Sequence, residues 1–429
     1  MRIVQIVAGS GGTFYCENCL RDSLLAKSLR KKGHDAVLVP LYLPMYADDP
    51  ATESNSPVFF GGINTYLQQK VPVFRKTPRW LDRLFDSRWL LKMAAKQAGT
   101  VSAGGMGDMT LSMIRGEAGN QAKELERLVA WLRDGERPDV IHITNVMLIG
   151  AARRLKEELG VPIVCVLQDE DTWLDALDGE YGERCWNAIR KRVADVDMFV
   201  SVSNDYAQSM QKRLGVSSDK IRTVYVGLDL AEFPRATLTL DPPVIGYLSK
   251  MTPSLGLGDL VDAFISLKKR EELSGLKFKA IGGMVGPDKK FVQTLISRLA
   301  AEGMEGDAEF IAGLEKDARA RFLESLSVMS VPMHSGGAFG TFMVEAWASG
   351  VPVVQPGIGA FPELVELSGG GLIYDAGAKL ALEEALATIL TDQNTAQQLG
   401  RAGRTAAETH FSIGAMTDNM LAVYSAVLG

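Results

Sequence analysis

Two glutamates, Glu345 and Glu363, each follow a run of glycines in the stretch VMSVPMHSGGAFGTFMVEAWASGVPVVQPGIGAFPE at 328–363. Short apolar runs at 328–333 and 351–354 lead into them. The pattern predicts two strand-loop-helix units in succession, with Gly336, Gly337 and Gly340 where the first strand turns into a helix over 342–349 that Gly350 ends. A helix N-terminus offers unpaired backbone N–H groups and the positive end of the helix dipole, a setting for an anion. Glu345, one turn inside, is placed to accept hydrogen bonds from a pair of sugar or ribose hydroxyls beside that anion. Glu363 opens the next helix within reach of the same crevice. Glycine-rich turns also occur in parallel sheets that bind nothing, but two adjoining loops, each followed by a Glu, favour a ligand.

Other residues offer chemistry with less support. Cys16-Glu-Asn-Cys19 has the spacing of half a metal or redox site, yet one such pair leaves a tetrahedral zinc site unfilled. The four His, at 34, 142, 334 and 410, are scattered, so the thiols read as neighbours at the start of a helix. Asp169-Glu-Asp171 would suit a divalent cation bridging to a diphosphate. Two glycine loops already neutralise a diphosphate, so these acids are read as lining a cleft, Asp171 nearest to acceptor or sugar hydroxyls and no metal ligand among them; a loop of solvated acids is the other reading. Residues 70–96 hold eight Lys or Arg against Asp82 and Asp86, interleaved with Phe74, Trp80, Leu84, Phe85, Trp89 and Met93. A basic, aromatic amphipathic segment suits an anionic or membrane surface. A solvated face over an ordinary core stripe would look the same.

The run G-A-F-G-T-F-M-V-E-A-W-A-S-G-V-P-V-V from Gly337, with G-A-F-P-E ending at Glu363, resembles the donor-binding signature of glycosyltransferase family 4, a retaining family of GT-B fold. The resemblance implies a nucleotide-diphosphate sugar as donor and co-substrate and no other cofactor. It implies that Glu345 holds the ribose and that backbone at Ala338, Phe339 and Gly340 touches the donor sugar. The family signature begins with a Glu where this chain has Gly337. Losing one such charge-assisted hydrogen bond costs roughly 1.5–3 kcal/mol. Lys250-Met-Thr-Pro-Ser-Leu255-Gly256 is similar to the family's Arg and Lys five apart that clamp the diphosphate: Lys250 keeps the first charge, and Leu255 lacks the second. The strand ending in His142-Ile-Thr144 resembles one that carries a His-x-His pair near the transferred sugar, with Thr144 in the second place. His142 also has a plain reading as a satisfied core residue. Gly11 and Gly12 stand where the family's glycines approach the donor diphosphate and the acceptor.

These candidates need α/β frames to hold them. A strand over 2–8, a glycine turn, a helix over 17–32 and a strand over 36–41 form a βαβ opening without a strict dinucleotide fingerprint. An insertion over 42–120 interrupts the rhythm. Alternation resumes with helix 122–134, strand 139–144, helix 146–159 and strands 161–167 and 197–203. A linker over 232–243 precedes strand 244–248. Strand-plus-glycine ends follow at 278–283 and 307–313, and the chain is helical from about 378. The 429 residues suit two domains: an acceptor-side domain over 1–235 with the helix 411–429 packing back on it, and a donor domain over 236–410. The resemblance makes them two Rossmann-like, doubly wound parallel-sheet domains facing across a cleft. Net charge of −6 argues against nucleic acid as a partner. Four cysteines suit a reducing compartment, so the expectation is a cytoplasmic protein, peripheral at the membrane through 70–96, with an anionic or lipid-linked acceptor. Gly337, Leu255, Lys250 and Thr144 all depart from the signature at the chemistry. A non-catalytic sugar- or nucleotide-binding protein on the same frame is therefore the alternative to an enzyme.

Overall fold

The computed structural model describes residues 1–9, 17–42, 59, 60, 65, 68, 69, 105–313 and 315–429. Gly11, Gly12, Cys16, the side chain of Cys19 and residues 70–96 lie outside this set. The chain divides into two compact units, Met1–Val224 with Met416–Gly429, and Tyr225–Ala415.

The first unit is built on a six-stranded sheet of β1 (Arg2–Val7), β2 (Asp35–Pro40), β3 (Val140–Ile143), β4 (Ile163–Leu167), β5 (Met198–Ser201) and β6 (Ile221–Thr223). Its order is β2-β1-β3-β4-β5-β6, and every pairing is parallel. The strands are apolar along their length because helices cover both faces of such a sheet. Ile3, Val4, Ile6 and Val7 of β1 are at most 1% exposed. The helix expected over 146–159 forms in two pieces, a 3-10 segment Val146–Ala151 and an α-helix Ala152–Leu159. Asn145 caps the first, accepting the Met147 N–H at 2.8 Å, and Gly150 passes so close to another backbone that a Cβ there would sit 2.1 Å from the Met113 carbonyl oxygen. The part of the helix Ile413–Leu428 from Met416 onward completes this unit, its Thr417 hydroxyl 2.8 Å from that of Ser28.

The second unit holds β7 (Val244–Leu248), β8 (Lys277–Gly282), β9 (Ala308–Ala312), β10 (Val328–Met329), β11 (Val353–Pro356) and β12 (Gly371–Tyr374). This sheet is also parallel throughout, in the order β12-β11-β10-β7-β8-β9. That is the doubly wound arrangement whose order reverses between its first and fourth strands, here β7 and β10. β10 is shorter than the apolar run 328–333 suggests. Pro332 brings no N–H, and Met333 turns back to donate to the Val331 carbonyl at 2.8 Å. β6 and β12 are short edge strands that the apolar pattern did not single out.

Candidate functional site

In an open parallel sheet, ligands bind beyond the carboxyl ends of the strands where the order reverses. In the second unit that point receives the segment 249–256 after β7 and the glycine loop after β10. The two are joined by the His334 N–H, which donates to the Ser254 carbonyl at 3.2 Å. Lys250 is exposed at the end of β7, its Nζ 3.5 Å from Asp288, and its carbonyl accepts from the Tyr247 hydroxyl at 2.8 Å. Leu255, half-buried, lies in a 3-10 turn just beyond.

The loops after β10 and β11 touch through backbone. A Cβ on Gly336 would lie 2.6 Å from the Gly359 Cα, so only glycines allow this approach. The Gly337 carbonyl accepts the Ala360 N–H at 3.2 Å, tying it to the start of the helix Phe361–Ser368. Gly340 begins the helix Thr341–Ala348 at φ 120° and ψ 62°, a conformation that L side chains rarely adopt. Ala338 and Phe339 are both buried, and the Phe339 ring packs 6.0 Å from that of Phe411. Their contribution to an open face is therefore backbone.

The two glutamates are both held. Glu345 is 2% exposed, and its carboxylate meets the buried Arg319 of the helix Lys316–Glu324 at 3.2 Å. Glu363 is half-buried and accepts from the Tyr225 hydroxyl at 2.7 Å. Neither Arg319 nor Tyr225 is marked as a site residue by any local motif. Arg319 stands three and four residues before Phe322 and Leu323, on their inward face, a spacing that placed it in the core.

The first unit gathers its polar groups differently. His142 pairs with Gln5 across β3 and β1 and is 1% exposed, its Nδ1 2.5 Å from the Tyr424 hydroxyl. Burial first, and the charge of Arg21 second, push its pKa down to about 3, so the imidazole is neutral at physiological pH. Beyond the end of β3, the Thr144 carbonyl accepts from the Gln168 amide at 2.7 Å and from Arg21 at 3.4 Å. Arg21 also donates to Asp22 at 3.0 Å, and burial holds the Asp22 carboxyl above its usual range despite that partner.

Asp171 is half-buried and accepts from the Tyr206 hydroxyl at 2.9 Å. Its neighbour Glu170, not singled out from sequence, is 1% exposed and accepts backbone N–H groups from Gln168 at 2.6 Å and Val146 at 3.2 Å. Burial pushes its pKa up to about 7 against those donors. Asp169, at φ 61°, starts the short helix Glu170–Leu174. Among the described residues no group of three or more His, Cys, Asp or Glu side chains is close enough to hold a metal ion. Lys250, the 336–340 loop, Glu345 and Glu363 thus belong to one unit, His142 and Asp171 to the other, and Gly11 and Gly12 lie outside the described residues.

The chain as a whole has relatives. The chain is 26% identical over 246 residues to a D-inositol 3-phosphate glycosyltransferase of Nocardia farcinica, covering 55% of this chain and 54% of that one. It is likewise 26% identical to a GDP-mannose-dependent alpha-(1-6)-phosphatidylinositol monomannoside mannosyltransferase of Mycobacterium tuberculosis, over 51% of this chain and 59% of that one. The chain thus spans little more than half the length of these curated relatives. Among solved structures, the sucrose-phosphate synthase of Thermosynechococcus elongatus superposes with a TM-score of 0.71 at 14% identity, covering 100% of this chain and 99% of that one. Anabaena HepE in complex with UDP superposes with a TM-score of 0.68 at 15% identity, covering 99% and 100%. The fold is GT-B. The family model for glycosyltransferase family 4 matches 111–232 and that for glycosyl transferases group 1 matches 231–406, so this chain belongs to glycosyltransferase family 4.

Proposed function

We propose that the protein transfers a sugar from a nucleotide-diphosphate sugar to an acceptor hydroxyl, with retention and without a metal ion. The observation that carries this reading is the meeting of Lys250, the glycine loop 336–340 and the start of the helix Thr341–Ala348 at the point where the second sheet reverses its strand order. Backbone N–H groups and Lys250 neutralise the diphosphate there, taking the place of a cation. Glu345 takes the ribose, backbone at 338–340 lies along the sugar, and Glu363 borders it. Stabilising the departing phosphate is the main catalytic contribution, and that phosphate helps to deprotonate the acceptor hydroxyl. Asp171 serves the acceptor; His142, enclosed in the core, acts without touching substrate. The names of the mycobacterial and nocardial relatives, with their phosphatidylinositol and inositol phosphate, support an anionic or lipid-linked acceptor.

A nucleotide-sugar screen by thermal stabilisation, followed by turnover with and without EDTA, tests the proposal. A ligand at 100 times its Kd adds about 2.7 kcal/mol, and turnover should survive EDTA. Loss of turnover with EDTA and rescue by manganese would overturn the metal-free reading. Stabilisation without any turnover would favour the second reading, a non-catalytic sugar- or nucleotide-binding protein, which Gly337 and Leu255 support by lacking the charges of the family signature.

A further inference from the structure

A cavity of about 460 Å³ in the first unit is lined by Arg115, Arg153, Arg184, Lys191 and Arg192, with Asn187 beside them. None of the residues described above at the ends of β1, β3 and β4 lines it. Among the described residues, Glu117 and Asp195 are the acids in ion-pair distance of these five cations. Glu117 meets Arg192 at 2.8 Å and Arg153 at 3.3 Å, and Asp195 meets Arg153 at 3.2 Å. These acids fix the guanidinium groups of Arg153 and Arg192 and leave Arg115, Arg184 and Lys191 with no acid in ion-pair distance among the described residues.

Arg192 is the informative member. It is 6% exposed, its Nη2 is held by Glu117 and the Arg115 carbonyl, and its Nη1 makes no hydrogen bond among the described residues. The nearest acid to that Nη1, Asp195, stands at 3.9 Å. A buried guanidinium donor without an acceptor, on the wall of a cavity lined by four further cations, is shaped for a tetrahedral anion: the planar fork matches phosphate oxygens, and burial strengthens the attraction. The volume falls in the range of small-molecule sites, about 300–1,000 Å³, which leaves room for the group that the phosphate is esterified to.

We propose that this cavity binds a phosphate ester, carried either by a soluble small molecule or by the headgroup of an anionic lipid. The site goes beyond the donor reading and does not depend on it. Calorimetry of the full chain with glycerol 3-phosphate is the direct test, paired with co-sedimentation on vesicles of phosphatidic acid in phosphatidylcholine and of phosphatidylcholine alone. Binding should weaken with added salt, and the triple variant Arg115→Ser, Arg184→Ser, Lys191→Ser should lose at least tenfold, while Lys250→Ala binds as the parent does. These three side chains have no acid partner to lose, so the variant should melt with the parent. Arg192→Lys, which keeps the charge and removes the fork, gives a second reading and should lose several-fold. Calorimetric binding assigns a soluble ester; binding confined to phosphatidic acid vesicles, and lost in the triple variant, assigns a lipid headgroup. No binding to either probe, equal binding by the triple variant, or an equal loss in Lys250→Ala would overturn the site.

Discussion

The two units hold the loops at the carboxyl ends of their strands with opposite materials. In the second, the loops after β10 and β11 meet backbone to backbone through Gly336 and Gly359, and the segment after β7 that carries the exposed Lys250 is joined to the first of them by the His334 N–H. In the first, the segments after β3 and β4 are tied by side chains that carry charge in the core: Arg21, Asp22 and Glu170 are at most 6% exposed. Glycine contact brings backbone against backbone and adds no titratable group. Buried charge gives rigid placement but makes that placement depend on partners and on pH.

The sharpest way to break this contrast lies at the buried ion pair of Arg319 and Glu345 in the second unit's candidate site. Replacing Arg319 with Met should leave Glu345 buried without its guanidinium and destabilise the protein by about 3–5 kcal/mol in urea unfolding. The double variant Arg319→Met, Glu345→Leu should recover most of that loss. A penalty below 1 kcal/mol for Arg319→Met would mean that Glu345 is held chiefly by other groups. Glu345→Ala should also weaken nucleotide binding at least tenfold, and unchanged affinity by calorimetry would remove the carboxylate from the nucleotide site.

Next in size is the pH response of the first unit. The folded pKa of Glu170, about 7, lies above its ordinary 4.5. The folded state therefore keeps a proton that the unfolded chain has released, and stability present below about pH 4.5 is lost as pH rises through about 7, on the order of 3 kcal/mol in all. His142 works in the other direction: with its pKa pushed down to about 3, stability present above its ordinary 6.5 is lost as pH falls toward 3. The clean measurement is thus the difference between parent and Glu170→Gln in urea at pH 5 and pH 8, which should change by about 2–3 kcal/mol in favour of the variant at the higher pH. A constant difference would mean that the Gln168 and Val146 N–H groups keep Glu170 ionised throughout.

What could be read from residues follows the same divide. The glycine loops were legible because a strand, a glycine and a helix start are local signals, and 336–340 and 356–360 carry them within a few residues. Even the length of the helix Thr341–Ala348 was readable to within one residue. The partners of Glu345 and Glu363 were not, because Arg319 and Tyr225 lie 26 and 138 residues away along the chain and nothing local marks such a pairing. Glu170 was passed over for Asp171 because D-x-D draws attention to its ends, whereas burial selected the middle residue. His142 became a candidate through its likeness to the family's His-x-His pair, beside its plain reading as a core residue, and the structure places it against Tyr424 in the core.

A smaller effect separates two glycines three residues apart. Gly340 has φ 120°, and a Cβ there would come within 3.1 Å of the Phe361 ring, so Gly340→Ala should cost about 1–3 kcal/mol. Gly337 has no such backbone constraint, and its Cβ would make ordinary contact with Phe361 at 3.6 Å, so Gly337→Ala should stay within about 0.5 kcal/mol. Space at Gly337 also makes Gly337→Glu a usable variant. His334 does not take up the role of the family's Glu at this place, since its Nε2 is turned to Asp259 at 2.5 Å. Gly337→Glu should therefore tighten nucleotide-sugar binding while leaving free nucleotide unchanged. Weaker binding of every nucleotide sugar would instead mark a remodelled sugar pocket.

The smallest expected change in stability, and the most direct test of the glycine-lined site, is at Lys250. Its side chain is 53% exposed and faces the half-buried Asp288 at 3.5 Å, a pair that solvent screens from the lysine side and that contributes about 0–1 kcal/mol, so Lys250→Ala should leave the unfolding midpoint nearly where it is. The cation's value lies in a diphosphate: calorimetry with UDP and GDP should show roughly tenfold weaker binding, since a hydrogen bond to a charged group contributes about 1.5–3 kcal/mol. Asp288→Asn should act the opposite way. The Asn carbonyl can keep the bond that Asp288 accepts from the Val285 N–H at 3.2 Å, while Lys250 loses a competing negative charge, so nucleotide binding should tighten by a few-fold, most at low salt. Leu255→Lys, which adds a second cation at the next turn, should tighten it further. If Lys250→Ala binds both nucleotides as the parent does and Asp288→Asn changes nothing, then the glycine loop alone holds the diphosphate, and the contrast between backbone and side-chain construction is complete even at this residue.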